Sequence, residues 1–144
     1  MTERSEHIGG PAGSVCVVAA VITTEDGLLL VRKRLTSRFM LPGGKLEKGE
    51  DDLLCLTREL SEELSVGFDR ASATFLGSFT AEAANEPQLR VIARLYRVAL
   101  TSHPLPNAEI EELLWLDHAE ATVRTDLAPL VNDHVLPLLR AGVP

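Results

Sequence analysis

The stretch Leu41–Val66, LPGGKLEKGEDDLLCLTRELSEELSV, constrains this chain more than any other. At about 100° per residue, Leu53, Leu56, Leu60 and Leu64 fall on one narrow stripe, which predicts an amphipathic helix over about 50–65. Glu59, Glu62 and Glu63 lie together on the flank of that stripe, not on the opposite, fully solvated face. Glu59 and Glu63 form a like-charge i,i+4 pair, and all three carboxylates face the negative end of the helix dipole. Two counterweights are open. One is a solvated acidic face with Arg58 as partial counter-ion; the other is a hard divalent cation, which takes oxygen ligands and turns repulsion into coordination. Gly43-Gly44, just upstream, is either a simple turn or a backbone that folds tightly against a ligand or metal.

The remaining chain reads as strands and one further helix. SVCVVAAVITT is a short β-branched run, a buried strand. EDG reads as a hairpin turn in which Asp26-Gly27 supplies positive φ angles. LLLVRKR returns as a second strand and ends in the basic cluster Arg32, Lys33, Arg34. ATFLGSFTAEA and LRVIARLYRVAL are strands around the turn NEP, and ELLWLD is a short late strand. DLAPLVNDHVLPLLR closes as an amphipathic helix over about 126–140, with Pro129 in its first turn and Pro137 kinking or fraying its last. Residues 1–13, polar and rich in Gly and Pro, read as a loose terminus. Residues 14–144 then form a single α/β domain with a mixed sheet.

A formal charge of −7 argues against a nucleic-acid polymer or an anionic membrane as partner, though not against small anions drawn to a local cluster of cations. The apolar run Val15–Ile22 is too short to span a bilayer and lacks a signal peptide's basic start. Cys16 and Cys55 lack metal-ligand spacing and read as reduced thiols inside regular elements, which fits a cytoplasmic protein. His7, His103, His118 and His134 are scattered without ligand partners.

Gly44, five residues, Glu50, seven residues, then RELSEELSV resembles the Nudix box. Gly44, Glu50, Arg58, Glu59, Leu60, Glu62, Glu63 and Val66 all match that pattern. One position departs: Ser65 replaces the glycine that lets the helix end in a left-handed turn, and a glycine follows two residues later, at Gly67. The order of strands and the final helix also resemble the Nudix α/β/α sandwich.

The resemblance implies a Mg²⁺-dependent hydrolase, with Mn²⁺ as a substitute, that cuts a pyrophosphate linkage in a nucleoside diphosphate joined to a group X. It implies Glu59, Glu62 and Glu63 as metal ligands, with the Gly43 carbonyl as an extra one, and Glu62 as the candidate to take a proton from the attacking water. Arg58 orients the glutamates or touches substrate. Glu50 anchors the loop or binds a secondary ion. A further acid comes from Glu109, Glu111 or Glu112; placing Trp115 at the aromatic that starts the late strand in MutT-like relatives favours Glu109. Arg34, Lys45 and Phe39 are the candidates for substrate contact. The compact length and the RKR…LPGGK lead-in stand nearest to MutT-like triphosphate hydrolases, making a nucleoside triphosphate the first expected substrate. The alternative is a non-hydrolytic, nucleotide-binding sensor or interaction module. Unpaired sheet edges favour a homodimer.

Overall fold

The computed structural model describes residues 13–142. The expected loose terminus therefore lies outside the described residues, apart from Gly13. The strands are β1 (Ser14–Val21), β2 (Thr23–Thr24), β3 (Gly27–Lys33), β4 (Gly43–Lys45), β5 (Thr74–Glu82), β6 (Arg90–Arg97) and β7 (Ile110–Leu116). The helices are α1 (Asp52–Leu64), the short α2 (His118–Ala121) and α3 (Leu136–Arg140), with a π-turn at Val131–Val135 leading into α3.

The strands form two sheets, where the sequence suggested one. Four strands run in the order β4-β1-β6-β5, with β1 and β6 parallel and the other pairs antiparallel; β2-β3-β7 is wholly antiparallel. Strand alternation sends side chains to two cores. Val17, Ala19 and Val21 of β1, with Leu28 and Leu30 of β3, face Leu127, Val131 and Val135 of the C-terminal segment. Val18, Ala20, Leu29 and Val31 face Cys55, Leu56, Leu60 and Leu64 of α1. Both β1 and β3 are thus covered on each face by helix, the α/β/α sandwich expected from the sequence.

Helix α1 starts on its own cap: Asp51 accepts from the Leu54 N–H at 2.8 Å. It ends at Ser65, whose φ of 55° and ψ of 37° are left-handed and whose N–H reaches the Ser61 carbonyl. Ser65 itself takes the glycine's conformation. Gly67 does not substitute for it, and its carbonyl is instead the acceptor for Thr101.

Two boundaries move. Within EDG, only Gly27 has positive φ, at 123°; Glu25 and Asp26 lie between the paired Thr24 and Gly27. The C-terminal helix does not begin at 126. Leu127 bridges Phe39, Phe39 donates its N–H to Asp126, and Ala128 donates to Phe39, so those residues are spent on strand-like pairing. The Leu136 N–H reaches back five residues to Val131, the wide turn that accommodates Pro137, which has no N–H to donate.

Candidate active site

The loop from Pro42 and the flank of α1 meet at the edge of the four-stranded sheet. Gly43 and Gly44 sit on β4, in register with Ala19 and Val18 of β1. A Cβ on Gly44 would overlap the Glu59 carboxylate, and one on Gly43, whose φ is 147°, would strike the Val18 carbonyl. Glycine is required at Gly43, where the obstacle is backbone, while at Gly44 a side chain would push the Glu59 carboxylate from its place.

Glu63 is 4% exposed and accepts from the Gly43 N–H at 3.1 Å. Burial and the neighbouring Glu59 charge push its carboxyl well above the usual glutamate range, against the pull of that N–H. Glu59 is shifted the same way by burial, with Arg58 opposing the shift. The buried Glu63 and the partly buried Glu59, whose side chain is 14% exposed, thus stand side by side. Glu62 turns outward: its side chain is 57% exposed and lies 3.7 Å from Arg58. Among the described residues, no three His, Cys, Asp or Glu side chains form a ready cage for an ion. The donor chemistry nonetheless suits a hard cation, since both gathered side chains offer only oxygen and both are disfavoured as anions by burial.

Arg58 is fully engaged within the protein. It donates to Glu50 at 2.6 and 3.0 Å, to Glu59 at 2.9 Å and to the Lys45 carbonyl at 3.1 Å. The guanidinium holds Glu50 well below the usual carboxylate range. Glu50 also accepts from the Glu47 N–H at 3.0 Å, closing the loop that follows β4. Arg58 therefore holds the Glu59 carboxylate and ties loop to helix. Cys55, beneath it, is buried, and that burial pushes its thiol up to about 12.

Glu59 and Glu63 open onto a cavity of about 480 Å³. Lys33, Lys45, Glu47 and Glu109 also line it at this end, while its floor crosses the sheet over Val17 and Val91 to the β5–β6 connection. Of the three acids considered before β7, Glu109 is the one on the cavity, 3.6 Å from Lys33. Glu112 pairs with Arg32 at 2.9 Å and Glu111 is exposed. Two substrate-contact expectations need correction. Arg34 does not line the cavity; it donates to the Ala108 carbonyl at 3.0 Å. Phe39 is 4% exposed in the core, with the Arg124 guanidinium 5.2 Å above its ring, so it is not available for stacking on a base. Met40 takes its place on the cavity wall.

Lys33 is the residue that sequence reasoning passed over. The β3–β7 register shifts between Arg32 and Lys33, so Lys33 lies opposite Ile110 and reaches Glu109, while Arg32 stands opposite Glu112 and pairs with it. A tripeptide RKR carries no sign of that shift.

The family model for the NUDIX domain matches residues 14–139. The chain belongs to the NUDIX family. Solved structures with the same fold include a putative nudix hydrolase family member from Chromobacterium violaceum (TM-score 0.71, 24% identity, 94% of this chain and 83% of that one). The MutT protein from Methanosarcina mazei Go1 superposes with a TM-score of 0.75 at 20% identity, covering 94% and 99% of the two chains. Among curated proteins, the methanol dehydrogenase activator of Bacillus methanolicus is 39% identical over 82 residues, 54% of this chain and 42% of that relative. This Nudix chain thus spans less than half the length of the curated relative it matches. Among its described residues, no helix is long and apolar enough to cross a membrane.

Proposed function

We propose that this protein hydrolyses a pyrophosphate bond in a nucleoside diphosphate derivative, with Mg²⁺ as the working ion and Mn²⁺ as a substitute. One observation carries the proposal: the buried carboxylate of Glu63 and the partly buried one of Glu59 are brought together against Gly43 and Gly44 at the mouth of a cavity that also holds Lys33. Leaving that pair without a cation is costly, which argues against a merely solvated face.

Glu59 and Glu63 are the principal ligands in this reading, and Glu62 joins them by rotating away from Arg58. The bound divalent ion supplies neutralisation of phosphate oxygens and acidification of a water. Arg58 fixes the Glu59 rotamer, so that its carboxylate would present its oxygens to the cation in one orientation. Lys33 and Lys45 draw the anionic chain into a mouth otherwise lined by acids. We assign the acceptance of the water's proton to Glu109, held beside Lys33, or to Glu62 once it has turned from Arg58. The Gly43 N–H points at Glu63, which ties β4 to the ligand set whether or not the Gly43 carbonyl also contributes.

The RKR…LPGGK lead-in and the superposition on a MutT protein favour a nucleoside triphosphate as the first substrate to test. The experiment is a turnover panel of nucleoside triphosphates, nucleotide sugars, dinucleotides and ADP-ribose, with Mg²⁺, Mn²⁺ or chelator. Release of a nucleoside monophosphate and pyrophosphate from a triphosphate, only with metal, is expected. Tight binding of a nucleotide with no turnover under any metal would support the sensor reading instead.

A further inference from the structure

Among the described residues, four that are not glycine hold a positive φ, and two of them stand beside the Lys33–Glu109 pair: Leu35 at 66° and Ala108 at 54°. A Cβ disfavours that conformation, so it persists only where surrounding contacts over-determine it. Each of the two lies in a tight turn. In the turn 33–36, the Lys33 carbonyl accepts from the Thr36 N–H at 3.2 Å and from the Thr36 hydroxyl at 2.7 Å. In the turn 107–110, the Ile110 N–H donates to the Asn107 carbonyl at 3.0 Å. Arg34 laces the two turns together. Its N–H donates to the Glu109 carbonyl at 2.8 Å, and its guanidinium donates to the Ala108 carbonyl at 3.0 Å. From the other side, the Asn107 N–H donates to the Glu63 carbonyl at 3.0 Å, near the end of α1. The backbone that carries Glu109 is thus tied both to the end of β3 and to the helix that carries Glu63.

We propose that Arg34 is a positioning residue: it clamps the turn 107–110 and so holds the Glu109 carboxylate on the active-site cavity, without itself touching substrate. The Ala108 and Glu109 carbonyls belong to the two peptide planes that meet at the Glu109 Cα, and Arg34 grips both. Holding both planes fixes φ and ψ at Glu109, and with them the direction of its Cβ. The Glu109 side chain is 60% exposed, so its carboxylate stands where this backbone and the Lys33 ammonium, 3.6 Å away, put it. Arg34 does not line the cavity, whereas Lys33 and Glu109 do. The role of Glu109 rests on the proposed hydrolysis; the clamp does not.

The test joins amide hydrogen exchange with steady-state kinetics on the full chain. In Arg34→Ala, the Asn107 and Ile110 amides should exchange about fivefold faster, while the Leu60 and Leu64 amides of α1 keep their rates. Arg34→Lys, which can still donate one bond to the Ala108 carbonyl, should restore most of the protection. With Mg²⁺ and the nucleoside triphosphate turned over fastest in the substrate panel, Arg34→Ala should lower kcat about fivefold and leave KM unchanged. That loss should vanish in a Glu109→Gln background, because Arg34 acts through that carboxylate. Unchanged exchange at Asn107 and Ile110 overturns the clamp. A raised KM at unchanged kcat, or a loss of the same size in Glu109→Gln, overturns the positioning role and makes Arg34 a substrate contact. If the wild type hydrolyses no compound of the panel, the hydrolytic reading fails and the exchange rates alone decide the clamp.

Discussion

At position 65 a serine holds φ at 55°, a conformation that costs a residue bearing a Cβ about 1 kcal/mol relative to glycine. Part of that gain is returned by glycine's greater freedom in the unfolded chain. Ser65→Gly should therefore raise stability by roughly 0.5 kcal/mol in chemical denaturation, and Ser65→Val should lower it. The motif departure is thus one of residue type and not of backbone, a distinction the letters alone do not carry. Glu63 gives a second residue-scale prediction. Its carboxyl titrates above the ordinary range in the folded protein, so the folded state holds that proton more tightly than the unfolded chain does. The metal-free protein should then be most stable at low pH within the folded range and lose stability as pH rises from the ordinary glutamate range to about 8. Asp52 and Glu50 shift downward, and their contribution is lost only below the usual carboxylate range, outside this window. Thermal melts in chelator check the slope. In Glu63→Gln, which keeps an acceptor for the Gly43 N–H without the charge, the slope should flatten.

At the scale of elements, α1 is held to the sheet by a cluster its sequence did not reveal. Asp52, in its first turn, accepts from Arg94 and, at 2.6 Å, from the Tyr96 hydroxyl, both on β6. Arg94 keeps Asp52 well below the usual aspartate range, while burial and that hydrogen bond push Tyr96 up to about 12. Tyr96→Phe should cost about 1 kcal/mol in denaturant melts at neutral pH. The loss should shrink once acid protonates Asp52, because the lost bond is to its ionised form. The span of α1 was legible because the leucine stripe is a local signal, and the observed helix lies within the expected 50–65. The start of the C-terminal helix was not. Leu127 is buried either on a helix stripe or on a bridge to Phe39, and periodicity gives the same letter for both. Lys33 and Phe39 misled for a related reason: a register shift and a core-facing ring depend on partners distant in sequence.

Across the whole molecule, the sequence carried the apolar runs that bury both faces of β1 and β3, and hence the layered architecture. It did not carry the division into two sheets, since β-branched runs do not name their pairing partners. The outer edge of β5 is left open by the order β4-β1-β6-β5, and Phe75 on that strand is 52% exposed. We expect a homodimer that covers this edge. A light-scattering mass of one chain at micromolar concentration would refute it.

The claim on which the functional account rests is that Glu59 and Glu63 form a cation site and not a solvated acidic face. Mg²⁺ titration of wild type and Glu63→Gln, followed by calorimetry and by thermal shift, tests it most directly. The account predicts saturable binding to wild type that raises its melting temperature. It predicts affinity reduced at least tenfold in Glu63→Gln, whose metal-free form melts no lower than wild type. Equal Mg²⁺ affinities in the two proteins would contradict it.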